Sequence, residues 1–302
     1  MTMQPSSYGV PPPPSSGTSR PTGKALLSAS WRMLRQDREL VWLPAVGSVA
    51  GLLAAAILFV PGWFLGAAIG GAHDNSWSGV LGGVLAVFGA TIVGIYFQAA
   101  LVIGANIRAD GGDPTFGGCL RSAWALRGPI VRWGLLTATV GIAIRAIEER
   151  FGFIGSILGF LGGLAWAIAS FLVVPVLVAE DLGPIESVKR SSHLIKATWG
   201  TSLRTTLRYG FMQFALTVVP VAAMVVGAIA VDSGSTAGTV IGVVLVLAGA
   251  AGFLVLAMVF AAIGSYARAL IYRYASGRPV PGIDPRLFAG VFQPKRRRRR
   301  FA

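Results

Sequence analysis

Charge is what this chain lacks most. Only 13% of its 302 residues are Asp, Glu, Lys or Arg, where a soluble domain carries about 25%. So little charge cannot coat a water-facing surface. Acidic residues are scarcer still, 12 against 26 Lys and Arg. Cysteine occurs once, as Cys119, which excludes an intramolecular disulfide framework and says little about redox compartment. Short alternating apolar–polar segments are missing, and with them the signature of a transmembrane barrel. No glycine loop precedes a Lys-Ser or Lys-Thr pair, so no phosphate-binding loop is present. The N-terminus has no basic stretch followed by a short apolar run, so no cleavable signal peptide is expected.

What remains is apolar. Hydrophobic residues make up 54% of the chain and mean hydropathy is +0.68. A bilayer span needs about 20 apolar residues, and lipid cannot hydrogen-bond exposed backbone, so the spans are expected as helices. Charges bound six of them, at Val41–Gly70, Ser78–Ile107, Gly128–Ile147, Phe151–Ala179, Tyr209–Val231 and Ala237–Ala267. Some exceed the bilayer thickness, which calls for tilt or for kinks at Pro44, Pro61, Pro175 and Pro220.

The loops between these spans alternate in charge. All but two of the 26 Lys and Arg fall on one side of a six-span threading, and the exceptions, Arg145 and Arg150, are diluted by Glu148 and Glu149. The positive-inside rule then places both termini in the cytoplasm, in a multi-pass protein of the cytoplasmic cell membrane. Residues 1–23, rich in Pro, Ser and Gly, read as a disordered cytoplasmic tail. Residues 24–276 form the transmembrane domain, and 277–302 a basic cytoplasmic tail. The expected fold is an all-α polytopic membrane bundle.

The three basic segments before spans one, three and five resemble one another. Leu26, Leu27, Ser30, Trp31 and Leu34 share one helical face; so do Phe116, Cys119, Leu120, Ala123 and Trp124; so do Ile185, Val188, Ser192, Ile195 and Trp199. Each reads as a short basic amphipathic helix lying in the headgroup layer. The chain is thus expected to repeat one unit three times, an interfacial helix followed by a transmembrane hairpin. Glycines recur at every fourth position, as in Gly47–Gly51, Gly62–Gly66–Gly70, Gly79–Gly83, Gly155–Gly159–Gly163 and Gly238–Gly242. Such stripes let helix backbones approach closely, within one bundle in the simpler reading or between copies in a homo-oligomer.

Candidates for chemistry are few. The middles of the spans hold no ionisable residue, where an enzyme or proton-coupled carrier usually places some. Gln98 and Gln213 are the strongest polar candidates for lining a cavity. His73 and His193 fall on opposite sides of the membrane and cannot share a metal. Glu180 and Asp181 are accounted for by the N-terminus of the helix that follows. Arg145 can pair with Glu148 or Glu149 along its helix. Lys189, Lys196, Lys295 and Arg296, Arg297, Arg298, Arg299 and Arg300 are candidate contacts to an anionic cytoplasmic leaflet. No catalytic site, cofactor, metal or nucleic-acid partner is expected.

Ser30-Trp31, Asp37, Glu39-Leu40 and Leu43-Pro44 resemble an uncharacterised family of prokaryotic six-span membrane proteins. So do Pro175, Glu180-Asp181, Gly183-Pro184-Ile185, Ser191-Ser192 and the run Ala269-Leu270-Ile271-Tyr272-Arg273-Tyr274-Ala275. The loop before span five also resembles, distantly, the membrane domain of some glycerophosphodiester phosphodiesterases. The resemblance implies a membrane fold and no established activity. The expectation is therefore a non-enzymatic scaffold or accessory subunit; the alternative is a carrier or membrane-remodelling factor for a lipid or small hydrophobic molecule.

Overall fold

The computed structural model describes residues 23–70, 76–180, 182–232 and 235–280. The regular elements among them are helical. In chain order they are α1 (Gly23–Gln36), a 3-10 turn (Arg38–Trp42), α2 (Leu43–Gly70), α3 (Ser76–Ala109), α4 (Phe116–Ala125), α5 (Arg127–Arg150), α6 (Gly152–Ser170), α7 (Val173–Glu180), α8 (Pro184–Val231) and α9 (Thr236–Ala275). Six segments are long and apolar enough to cross a membrane: Arg38–Gly70, Trp77–Ala109, Arg127–Arg150, Gly152–Glu180, Gln213–Val231 and Thr236–Ala275. They coincide with the six expected spans.

The spans pair as hairpins, α2 with α3, α5 with α6, and α8 with α9. Glycine makes the close approaches. In α2, a Cβ on Gly62 would lie 2.7 Å from the Leu81 carbonyl, and one on Gly66 would collide with the Trp77 carbonyl. Gly227 and Gly242 face each other across α8 and α9, a Cβ on either meeting the other's carbonyl at 2.7 and 2.5 Å. In the middle hairpin, a Cβ on Gly155 would lie 2.6 Å from the Ile147 carbonyl, and one on Gly159 would collide with the Glu148 side chain. Gly163, Gly79 and Gly83 have nothing within 4 Å. The stripes of α2, α6 and α9 are therefore occupied at least in part by the chain's own neighbouring helix, and the Gly79–Gly83 stripe is not.

Packing is uneven along the spans. The core gathers at the end of the bundle that carries the arginine-rich loops, hereafter the basic end. It is built from Ile95 to Ala105 of α3, Phe260 to Ala275 of α9, and Leu172 to Leu177, with Cys119, Ala123, Ile130 and Trp133 beside them. α3 is the hub and packs on α2, α4, α5, α7 and α9. At the other end the side chains turn outward, as with Phe153 at 82% exposed and Val219 at 70%. Apolar side chains there need no protein neighbour, because lipid tails are as apolar as they are.

Pro175 divides span four. Proline has no amide hydrogen and its ring crowds the carbonyl four residues back, which here is Phe171. α6 ends at Ser170, and α7 begins at Val173. The amide of Leu172, at the break, donates to Ser191 Oγ at 3.1 Å, a buried bond from α8. Pro61 and Pro220 lie inside continuous helices. α3 and α9 end alike, with Gly111 (φ 83°) and Gly277 (φ 74°) in the left-handed region. Gly112 N donates to Ile107 O at 2.9 Å and Arg278 N to Arg273 O at 2.8 Å, the six-to-one bond of a glycine-terminated helix.

The third unit differs from the sequence expectation in one respect. α1 and α4 are separate short helices, but α8 runs unbroken from Pro184 to Val231, so the third basic segment and span five are a single helix. No proline interrupts residues 185–212, and the polar residues there break the apolar pattern without breaking the backbone.

Candidate functional site

The basic end holds a layer of ion pairs that no single stretch of sequence contains. Asp37 follows α1, and its side chain is 1% exposed. Arg108, in the last turn of α3, grips it from the side: Nε donates to Oδ1 at 2.9 Å and Oδ2 at 3.1 Å, and Nη2 also donates to Oδ1. Tyr266 of α9 donates its hydroxyl to Asp37 Oδ2 at 3.1 Å. Arg108 reaches outward as well, to Asp113 at 2.6 Å. One buried carboxylate thus joins the chain's first described turn to α3 and α9. A fork-shaped guanidinium is suited to this, since it donates along two parallel directions to one carboxylate.

Two further ties lie alongside. Arg273 of α9, 3% exposed, donates Nη2 to Asp110 at 2.5 Å and Nε to the Pro279 carbonyl at 3.1 Å. Asp110 lies just beyond α3, and the Arg273 hydrogen bond holds its carboxyl below the usual carboxylate range, against a smaller opposing effect of burial. At the end of α7, Glu180 accepts from Arg190 Nε at 3.0 and 3.1 Å and from the Tyr272 hydroxyl at 2.8 Å. Burial, helped by the negative charge of Asp37, pushes the Cys119 thiol up to about 11.

These contacts correct one expectation. Glu180 does not serve the N-terminus of the next helix; its oxygens are taken by Arg190 and Tyr272. Glu186 does that work, accepting from Gly183 N at 3.2 Å. Arg145 pairs with Glu149 at 3.0 Å, four residues on, while Glu148 turns onto Gly159 of α6.

The other sequence candidates are dispersed. Gln98 is half-buried on α3 and Gln213 half-buried on α8. Among the described residues α8 packs mainly on α9, α7, α6, α1 and α5 rather than on α3, so Gln98 and Gln213 stand on helices that are not close neighbours. Lys189, His193 and Lys196 are exposed on the first turns of α8. Lys295, Arg296 to Arg300, Asp181 and His73 lie outside the described residues, as does the tail 1–22. No group of three or more His, Cys, Asp or Glu among the described residues is arranged to hold a metal.

The sequence reading missed the layer because its partners are far apart: 71 residues from Asp37 to Arg108, 163 from Asp110 to Arg273 and 229 from Asp37 to Tyr266. A signal was available. Asp37, Glu180, Tyr272 and Arg273 are motif residues, and each stands at the basic end of a helix, where a buried charge needs a partner.

No curated protein and no solved structure matches the chain. A family of unknown function, DUF6159, matches residues 81–280. That stretch runs from α3 to the segment after α9 and holds every residue of the ion-pair layer except Asp37. The chain belongs to DUF6159.

Proposed function

We propose that this protein is a non-enzymatic scaffold or accessory subunit of the cytoplasmic cell membrane, with both termini in the cytoplasm. One observation carries the reading. The carboxylates of Asp37, Asp110 and Glu180 each accept from an arginine on a different part of the chain, and those bonds, with the Tyr272 hydroxyl on Glu180, fasten α3, α7, α8 and α9 together. Charge placed this way holds the basic end rigid, as a platform for a partner requires. The carrier alternative places Gln98 and Gln213 in one polar cavity; among the described residues their helices pack mainly on other helices, which favours the scaffold.

Mass spectrometry of the protein released gently from mild detergent tests this. A defined additional polypeptide or a fixed oligomer is the expected result. A monomer that retains one lipid or metabolite, with no protein partner, would overturn the scaffold reading and favour the carrier.

A further inference from the structure

The helices at the basic end bury one face and expose a second that is neither purely apolar nor purely charged. α1 buries Ser30, Met33 and Leu34; α4 buries Cys119 and Ala123; α8 buries Ser187, Ser191 and Leu194 in its first turns. Trp31 and Trp124 stand off those buried faces, and the Trp199 side chain lies outside the described residues. Trp31 is 44% exposed and Trp124 61%. Each ring is covered by a neighbouring guanidinium, Arg35 at 5.8 Å from the Trp31 centroid and Arg127 at 5.7 Å from that of Trp124. Arg35 and Arg127 are themselves exposed.

Position fixes what such a face meets. Only Leu126 separates α4 from α5, the third span, so Trp124 and Arg127 stand at the membrane boundary. Only the 3-10 turn and Asp37 separate α1 from α2. Tryptophan is stable at that depth because its ring is apolar and its N–H is polar. An arginine held over the ring keeps donors free for a phosphate oxygen, and the net charge of +14 selects an anionic partner over a zwitterionic one.

We infer that Trp31 with Arg35, and Trp124 with Arg127, form two clamps for the phosphates of anionic phospholipids in the leaflet at the basic end, with Lys189 and Lys196 of α8 adding to the same surface. This goes beyond a general attraction of basic loops to the membrane. It names two sites and requires that they prefer anionic lipid. It rests on the six-span reading and not on the scaffold reading.

The test uses the full chain in nanodiscs of phosphatidylcholine containing one-tenth phosphatidylglycerol. Either the minor or the major lipid carries bromine near the headgroup, and tryptophan quenching is read in each. Subtracting the signal of the Trp31→Phe/Trp124→Phe variant isolates the two rings. Quenching by the brominated phosphatidylglycerol is expected to exceed its share of the lipid several-fold, and Arg35→Gln/Arg127→Gln is expected to remove the excess. Arg145→Gln, which removes a charge at the opposite end, should leave it intact. Quenching in proportion to lipid abundance, or an excess that survives Arg35→Gln/Arg127→Gln, would overturn the clamps. Absence of quenching by either lipid would instead overturn the membrane placement of these helices.

Discussion

Replacing Asp37 with alanine removes the acceptor that Arg108 and Tyr266 share. The cost follows from the geometry. Breaking a buried ion pair at one partner costs about 3–5 kcal/mol, because the other charge is left uncompensated. Arg108 is not stranded completely, since its side chain is 21% exposed and Asp113 still accepts from it. That places Asp37→Ala near the lower bound, about 3 kcal/mol. No helix cap is lost in the exchange, because the Asp37 side chain makes no capping bond to the turn it precedes. The assay is thermal unfolding in a mild detergent, where each kcal/mol is about 2–4 °C for a chain of moderate size. The midpoint should fall by about 6–12 °C. Asp113→Ala is the control, since that side chain is 87% exposed and exposed pairs contribute about 0–1 kcal/mol. Arg108→Met added to Asp37→Ala should cost less than the two single losses combined, as expected of coupled neighbours. Equal midpoints for Asp37→Ala and Asp113→Ala would refute the assignment of Asp37 as the central tie.

Further outcomes are expected. Tyr266→Phe should lower stability by about 1.5 kcal/mol, the lower range for a hydrogen bond to a charged group, measured in the same melt. Gly242→Ala puts a methyl against the Gly227 carbonyl and should cost about 1–3 kcal/mol by overpacking, whereas Gly163→Ala, facing open space, should be nearly neutral; equal effects would contradict the hairpin contact. Cys119 should resist maleimide at pH 7.5 in the folded protein and react at once in denaturant. Its raised thiol favours the folded state below the unfolded value of about 8.5, and that contribution is lost as pH rises through about 11. Asp110 has the opposite sign. Its carboxyl is depressed by Arg273, so its contribution is present above about pH 3.9 and fades as pH falls through the lower folded value. At 65% side-chain exposure that contribution is small, and Asp110→Asn should flatten the acid limb of a stability–pH curve without moving the neutral plateau.

The spans were legible because each is a long uncharged run, and hydropathy is a local property. The hairpin contacts were partly legible, since Gly62, Gly66 and Gly242 lie on glycine stripes where backbones approach, whereas Gly227, which meets Gly242, belongs to no stripe. Their neighbours Gly79, Gly83 and Gly163 share the spacing and touch nothing, because spacing marks a smooth helix face without naming what lies against it. The continuity of α8 was hidden by the polar residues between Lys196 and Arg208, which read as a break in the membrane pattern although no proline interrupts them. The ion-pair layer was least legible. Asp37 and Arg108 flank the first hairpin and Tyr266 belongs to the last, and local sequence carries no record of a partner 229 residues away.

The most direct test of the account is the side of the membrane on which the ion-pair layer lies. Single cysteines would be placed in a Cys119→Ala background at Asp113 and His193, and at Asp232 and Glu149 toward the opposite side, then probed with a membrane-impermeant maleimide in intact cells. Asp232→Cys and Glu149→Cys should label before permeabilisation, and Asp113→Cys and His193→Cys only after it. Labelling of Asp113→Cys or His193→Cys in intact cells would contradict the threading on which the platform and its lipid clamps depend.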